Sequence, residues 1–510
     1  MKKHTLLVII LFLLYIPLSV FAQTTDNSDT KEVTILHWND FHARNMPYKV
    51  NKKNEKEPVY VGGVSSLLGY LRLNRDNKSL VLHGGDEYQG TPISTISKGF
   101  SQVGLLNLFN LDGFVLGNHD FDYGQYTLDS ALRGANYDYL AANISRKNNS
   151  GTYAKPYIVK IVNGVKIGII GVVPMDLFTL TLPRNVSDIK MLNTDSVITA
   201  DMKQLKSEKC NLIILLSHNG ADVDSVFAVK FHKDLDIIIG GHSHTPIFRP
   251  RVVDGVLICQ AGSYGRWLGR LDVKVDTKKD TVVGFSGKLI ETLWDSAVYD
   301  KPAQEMVENM LASIEPEMKR PIGILLDNWN RRSIGQWQAD ITRERVNSDI
   351  AFMNDGGVRK DMIKGDITVG DIWEINPFGN TIVKFEVSGK TLKEMIMNAI
   401  IIEEKKGRDN YEPALVSGVD VLFDSKKIKE GKTDFLVSFK VGGKDIDLNK
   451  RYTIATNNYL GTQIKKFFGE IEEEIKVEDT NIIDRDMIIE AIEKQKEINP
   501  VFERRIKDIN

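Results

Sequence analysis

The chain has 510 residues, of which 42% are hydrophobic, with 66 Lys and Arg against 68 Asp and Glu and a net charge of −2. This length exceeds that of a single small domain and predicts two or three domains with buried cores. The near-neutral charge lacks the basic footprint of proteins that bind nucleic-acid polymers, so we expect no polymer partner.

An export signal is predicted over residues 1–22. The basic start MKK is followed by the apolar run TLLVIILFLLYIPLSV and by a sequence, VFA then Q, that resembles a cleavage site after Ala22, the pattern of a cleaved secretory signal. A membrane anchor is the alternative, because the run is close to spanning length. The polar sequence QTTDNSDT that follows favours cleavage. We therefore expect a secreted, periplasmic or cell-surface protein with no stable membrane insertion after cleavage.

Residues 31–295 alternate short apolar runs with amphipathic segments. The apolar runs are VTILHW, SLVLHGG, GFVLGN, KIGIIGVV, NLIILLSH, LDIIIGGH and GVLICQ. Two helix-like segments, VSSLLGYLRL and SVITADMKQLKSE, lie between some of these runs. This alternation predicts a layered α/β domain with β-sheets flanked by helices. Most runs end at His, Asp, Asn or Gly, and in open α/β sheets sites form outside the carboxyl ends of strands. Several ends are therefore expected to meet in one cleft.

A second domain is predicted over residues 321–506, after a charged linker helix at 296–320. Pro321 and Gly323 close the linker, and the pattern then changes to the strand-like runs DIAFMND, TIVKFEVSG, DFLVSFKVGG and RYTIAT with a helix at TLKEMIMNAIIIEEKK. This mixture predicts a smaller α+β domain.

Cys210 and Cys259 are the only cysteines, and both adjoin apolar runs. Export would permit one disulfide between them, whereas two buried thiols are at least as compatible with the sequence. Either arrangement excludes a fold held together by many disulfides.

Five fragments at the ends of apolar runs concentrate metal-binding side chains. They are HWNDFHAR, HGGDEYQGTP, GNHDFD, SHNG and GGHSHT, and they hold seven of the nine histidines. Each fragment alone is common in turns and caps, but the set combines carboxylate, imidazole and amide donors without cysteine. Such donors suit Zn, Mn, Fe or Co and disfavour a structural zinc site. The set predicts a hydrolytic centre with two divalent ions.

These fragments, in this order, resemble the two-domain 5′-nucleotidase family within the calcineurin-like metallophosphoesterases, as do NDGGVR and NPFGN in the second domain. The resemblance implies that Asp86 bridges two metal ions. By the same resemblance the first ion is held by Asp40, His42, Asp86 and His244, and the second by Asp86, Asn118, His218 and His242.

The resemblance gives His119 and Asp122 catalytic roles. His119 is expected to face the phosphate and assist the leaving oxygen, with Asp122 orienting the imidazole and favouring its charged form. Asp120 is expected to be a hydrogen-bonding group at the strand end. The two ions are expected to neutralise the phosphate ester and to activate a bridging hydroxide for in-line attack on phosphorus.

The second domain is expected to supply substrate contacts at Asn354, Arg359, Phe378 and Tyr459. Arg359 offers a forked contact to phosphate or ribose oxygens beside a glycine pair. The resemblance implies that a nucleobase stacks between Phe378 and Tyr459, while core packing is the alternative for Phe378.

Two departures from the family pattern leave the substrate open. LGTQIKKFFG, which follows Tyr459, lacks the ribose-binding Asp of the family, and the second substrate arginine aligns with Asn328. Arg331 and Arg332 are nearby candidates to replace it. The expected activity is hydrolysis of nucleotide phosphate monoesters. The alternatives are hydrolysis of 2′,3′-cyclic nucleotides, nucleotide sugars or other phosphate esters, and non-catalytic nucleotide binding.

Overall fold

A computed structural model describes residues 29–50, 52, 58–147, 151–295, 297–406 and 415–510. The predicted signal at residues 1–22 lies outside this part of the chain. The first domain contains two six-stranded sheets that pack face to face, with helices on their outer faces.

The first sheet is built around the strand Thr30–Trp38, which pairs in parallel with Ser79–His83 and antiparallel with Trp267–Asp276. In spatial order the strands are Thr281–Glu291, Trp267–Asp276, Thr30–Trp38, Ser79–His83, Gly113–Val115 and Tyr139–Leu140.

The second sheet has a parallel centre and one antiparallel strand at each edge. In spatial order its strands are Arg251–Val253, Val256–Cys259, Ile237–Gly240, Leu212–Ser217, Val165–Val172 and Tyr157–Val162. The central strands are continuous aliphatic runs because both of their faces are covered. Val33, Ile35 and Leu82 of the first sheet share a buried core with Ile169 and Ile214 of the second.

Helices cover the outer faces of both sheets. The predicted helices at 64–73 and 196–208 are present, and Asn193 caps the second one by accepting a hydrogen bond from the backbone N–H of Ser196. The α-helices are Val64–Asn74, Pro92–Ile96, Phe100–Leu106, Gln125–Leu132, Leu177–Leu180, Thr194–Ser207 and Ala221–Phe231, with 3₁₀ turns at Asn107–Phe109, His119–Phe121 and Pro183–Val186. Two small ribbons complete the domain, Tyr48–Val50 with Val59–Val61 and Ile144–Arg146 with Ile189–Met191.

The predicted linker contains two helices, Lys301–Ala312 and Glu315–Met318. Ala303 and Val307 are buried in the core of the first domain, whereas Met318 packs against the core of the second. The linker is therefore anchored at both ends. The exact domain boundaries stay a prediction.

The second domain mixes three sheets with helices, as the α+β pattern predicts. In spatial order, the three-stranded sheet contains Gly365–Thr368, Pro321–Leu325 and Glu497–Ile498. The five-stranded sheet contains Leu415–Ser417, Ile350–Met353, Arg451–Asn457, Thr381–Ser388 and Glu478–Ile483. The four-stranded sheet contains Lys444–Asp445, Leu436–Val441, Val419–Phe423 and Ile506–Asp508. Its helices are Arg331–Arg345, Val369–Ile375, Gly389–Lys405, Ser425–Lys429, Asn458–Thr462, Ile464–Phe468 and Asp484–Gln495, with a 3₁₀ turn at Asp355–Gly357. The predicted fold class is confirmed for both domains.

Cys210 and Cys259 are free, buried thiols in this fold. Across the residues that the structure describes, we find no helix that combines the length and the apolar character needed to cross a bilayer.

Candidate active site

The carboxyl ends of five strands bring the predicted ligand residues together. Asp40 and His42 follow the strand that ends at Trp38, and Asp86, Asn118 and His218 each follow another strand. His242 and His244 follow the strand that ends at Gly240. Two groups have all their ligand atoms within 4.8 Å of one another, namely Asp40 with His42 and His244, and Asp86 with His218 and His242.

The Asp86 carboxylate lies between the two groups. Its Oδ2 is 3.0 Å from His218 Nε2 and 3.9 Å from His42 Nε2. In the other group, His244 Nε2 lies 3.2 Å from both Asp40 Oδ1 and His42 Nε2. Six of the seven predicted ligands therefore form one continuous cluster, and Asn118 lines the same cavity as Asp86 and His242.

Backbone carbonyls orient two of the imidazoles. His42 Nδ1 lies 3.1 Å from the carbonyl oxygen of Gln89, and His218 Nδ1 lies 2.6 Å from that of Gly84. A carbonyl can only accept, so each Nδ1 carries the proton and each Nε2 faces the cluster. This is the arrangement that metal-binding histidines commonly have.

The electrostatics of the cluster favour a bound cation. Burial lowers the pKa of His218, but the charge and hydrogen bond of Asp86 together with the charge of Asp40 outweigh burial and raise the pKa to about 10. Burial opposes ionisation of Asp86, yet the imidazoles of His218, His119 and His42 together hold its pKa well below the usual range. Asn118 Oδ1 is buried and accepts no hydrogen bond from the described residues. An unpartnered amide oxygen among buried carboxylates and imidazoles fits divalent metal ions.

Left-handed backbone conformations place many of these ligands. Asp and His are among the non-glycine residues that tolerate this region, which is otherwise disfavoured and often found at functional sites. The positive φ values are 50° at Asp40, 51° at His42, 61° at Asp86, 75° at His242 and 54° at His244.

His119 and Asp122 form a hydrogen-bonded pair beside the cluster. His119 Nδ1 lies 2.7 Å from Asp122 Oδ2, and the backbone N–H of His119 donates to Asp86 Oδ1 at 2.8 Å. Burial lowers the pKa of His119, but the charges of Asp122 and Asp86 and the hydrogen bond to Asp122 together outweigh burial, so the pKa lies above its ordinary value. The geometry suits an imidazole that gives up a proton from its other nitrogen.

Asp120 ties the neighbouring loops together. Its carboxylate accepts backbone N–H groups from Gly117 at 2.7 Å, Glu87 at 2.8 Å, Tyr88 at 3.0 Å and Asp86 at 3.2 Å. These bonds fix the loop that carries Asp86 against the strand end that precedes Asn118.

A cavity of about 410 Å³ joins the cluster to the second domain, and it is lined by His119, Asp122, Asn354, Arg359, Phe378 and Tyr459 among others. This volume is in the range of small-molecule sites. The Phe378 ring stacks on His119 with centroids 5.8 Å apart, and Arg359 Cζ lies 5.6 Å from the Phe378 centroid. All the predicted substrate residues therefore face the space next to the metal ligands.

Several lining residues were not predicted from sequence. Gln89 and Tyr123 lie within or next to the quoted fragments and could have been noted there. Leu182 and Asn185 come from a segment with no recognisable sequence signal. The candidates for the second substrate arginine lie elsewhere.

Arg331 and Arg332 begin the helix Arg331–Arg345 and do not line the cavity. The backbone N–H of Arg331 donates to Asp361, and the Arg332 guanidinium lies 5.6 Å from the centroid of Phe502.

Two family descriptions match the chain in succession. Residues 33–246 match the calcineurin-like phosphoesterase family, a class of metal-dependent phosphoester hydrolases, and residues 322–470 match the 5′-nucleotidase C-terminal domain. The chain belongs to the two-domain 5′-nucleotidase family. The N-terminal match covers all seven predicted metal ligands.

Relatives in the 5′-nucleotidase family resemble the chain over most of its length. It is 27% identical to 5′-nucleotidase of Rattus norvegicus, over 97% of this chain and 93% of that protein. The crystal structure of a 5′-nucleotidase precursor from Thermus thermophilus has a TM-score of 0.81 at 25% identity, covering 94% of this chain and 100% of that one. Endonuclease YhcR of Bacillus subtilis is also 27% identical, over 84% of this chain, but the chain spans only 37% of its length.

Proposed function

We propose that the protein is an exported, metal-dependent phosphoesterase that releases phosphate from nucleotides. The observation that carries this proposal is one cavity that holds the metal-ligand cluster, the His119–Asp122 pair and the aromatic and basic residues of the second domain. The name of the rat relative supports a nucleotide substrate. A cavity of this size also suits a small ester better than a polymer.

Two divalent ions fit the donor set. The first would be held by Asp40, His42, Asp86 and His244, and the second by Asp86, Asn118, His218 and His242. These oxygen and nitrogen donors suit Zn, Mn, Fe or Co. When bound, such ions would neutralise phosphate charge and lower the pKa of a bound water molecule towards roughly 7.

His119 is the proposed proton donor to the leaving oxygen. Asp122 accepts from Nδ1 at 2.7 Å, which fixes the tautomer and leaves Nε2 to carry the proton that is transferred. The hydrogen bond from the backbone of His119 to Asp86 keeps this imidazole next to the metal ligands. Arg359 is proposed to bind phosphate or ribose oxygens as a fork.

Phe378 and Tyr459 are proposed to hold the base. Tyr459 is restrained through its hydroxyl, which donates to the carbonyl of Thr179 at 3.1 Å, so its ring is fixed against the first domain. Asn354 lines the same part of the cavity. A protein that only binds nucleotides would have no use for the His119–Asp122 pair, which favours catalysis.

The site also admits cyclic nucleotides and nucleotide sugars as rival substrates. A phosphate-release screen over nucleoside monophosphates, 2′,3′-cyclic nucleotides and nucleotide sugars tests the proposal, with and without Mn or Zn. We expect nucleoside monophosphates to be hydrolysed, and only with metal. Tight nucleotide binding without phosphate release from any ester would identify a binding protein instead.

Export is proposed from the sequence of residues 1–22. Expression of the full chain with fractionation of the cells tests this part of the proposal. We expect a product shortened by the predicted signal outside the cytoplasm, whereas an uncleaved product in the membrane fraction would indicate an anchor.

A further inference from the structure

A buried amide network connects Asn354 of the cavity to the start of the helix that carries Tyr459. Asn457 is 1% exposed, and its Oδ1 accepts the backbone N–H of Leu460 at 2.8 Å. Its Nδ2 donates to Asn354 Oδ1 at 2.7 Å. One side chain therefore caps the helix Asn458–Thr462 and contacts a substrate-facing amide.

The direction of each hydrogen bond in this network is fixed by chemistry. A backbone N–H only donates, so the Asn457 atom that faces Leu460 must be the oxygen. The other Asn457 atom is then the NH₂ group, which requires an oxygen on Asn354. What remains on Asn354 is its own NH₂ group, and no described residue accepts a hydrogen bond from it.

The Asn354 oxygen is engaged by Asn457, which leaves the NH₂ group as the free polar end of this cavity-lining side chain. Asn354 is 9% exposed and lines the cavity together with Gly356 and Gly357. A Cβ at position 357 would lie 3.1 Å from Asn354 Oδ1, so the glycine lets the backbone pack closely on this oxygen. The cavity thus presents a hydrogen-bond donor, and not an acceptor, at Asn354.

We infer that Asn457 is a positioning residue that holds Asn354 as a donor, so that the site selects nucleobases with an acceptor at this place. The inference rests on the proposed function. The acceptor is a ring nitrogen or a carbonyl oxygen of the base, and an exocyclic amine in the same place is disfavoured because two donors would face each other. The Asn457 side chain also sets the start of the Tyr459 helix, so base stacking and base selection depend on one residue.

Two substitutions separate the capping role from the orienting role. Asn457→Ser keeps an oxygen that can cap Leu460 but removes the second polar atom, the NH₂ group that donates to Asn354. Asn457→Asp also keeps the cap, but at mildly alkaline pH its second oxygen only accepts and would turn Asn354 so that its oxygen faces the base. The measurement is kcat/KM for AMP, IMP, CMP and UMP, each divided by kcat/KM for p-nitrophenyl phosphate, which has no base.

We expect Asn457→Asp to lower the normalised value for the preferred nucleotide roughly 5- to 100-fold, as expected for a mismatched buried hydrogen bond. The loss in Asn457→Ser should be smaller than the loss in the Asp variant by a factor of roughly 3 or more. In the Ser variant the Asn354 amide can rotate and still donate to the base, whereas in the Asp variant it is held with its oxygen towards the base. Equal values for the two variants, or no change in either, would overturn the inference and leave the proposed function intact. Failure of the wild-type protein to hydrolyse any of these esters with Mn or Zn would overturn both.

Discussion

The metal-binding half and the substrate-binding half of the cavity are built in different ways. Metal ligands such as Asp40 and His218 are fully buried, lie next to strand ends and are held by backbone groups. The substrate residues come from loops and a short helix of the second domain, and Asn354 among them is held by the side chain of Asn457. By the sequence resemblance, the first half is expected to hold every metal ligand of the family, and the second is expected to differ at the ribose contact and at one arginine.

The two halves meet through polar contacts between side chains and neighbouring loops. Among them, Arg44 Nη1 donates to Glu374 at 3.0 Å and the Tyr459 hydroxyl donates to the carbonyl of Thr179. A substitution in one half should therefore leave the other half folded, which allows each to be tested separately.

The largest effect is expected for Asp86→Asn. Its carboxylate lies between the two ligand groups, so the amide should cost at least one metal ion and reduce phosphate release to the detection limit. Metal analysis and a phosphate assay on the same sample measure both. Asp222→Asn, which alters an exposed carboxylate on the helix Ala221–Phe231, is the matched control and should retain metal. Full activity with two bound ions in Asp86→Asn would refute the ligand assignment.

His119→Ala separates proton transfer from metal binding. We expect kcat to fall roughly 10²- to 10⁴-fold while metal content stays near normal, because the imidazole acts on the leaving group. Asp122→Asn should cause a smaller loss, since it removes only the orienting partner. A variant at His119 that loses metal would show instead that the residue is a ligand.

Phe378→Ala tests the substrate half. We expect kcat/KM for nucleotides to fall roughly 5- to 150-fold relative to p-nitrophenyl phosphate, the range expected from lost base stacking. Equal loss on both substrates would mean that Phe378 mainly supports His119, on which it stacks. No loss on either would place the preferred substrate outside the nucleotides or outside this pocket.

The smallest effect on kcat/KM is expected for removal of the ribose 2′-hydroxyl of the substrate. After Tyr459, Gln463 donates to the carbonyl of Phe178 at 3.3 Å and Lys465 pairs with Glu470, so neither these contacts nor the sequence supplies a ribose-binding carboxylate. We expect kcat/KM for AMP and dAMP to differ by less than about 3-fold, below the range of one lost hydrogen bond to a charged group. Strong preference for AMP would reveal a ribose contact from another residue.

The metal half could be predicted from sequence because its signals are local. Each ligand stands within a few residues of an apolar run, and the carboxyl ends of such strands meet at one edge. The substrate half depends on distant pairs, such as Asn354 with Asn457, which no local pattern indicates. Arg331 and Arg332 illustrate the limit, because the helix that they begin was not predicted and takes them away from the cavity.

The left-handed backbone at the metal ligands couples local strain to the proposed metal site. Glycine adopts this conformation more easily than histidine, so glycine at position 42 or 244 would relieve strain in the backbone itself. The same change would remove a proposed ligand, and at position 42 it would also remove a buried imidazole that lies 3.1 Å from the Gln89 carbonyl oxygen. The backbone strain at these positions is therefore tied to the placement of the imidazoles.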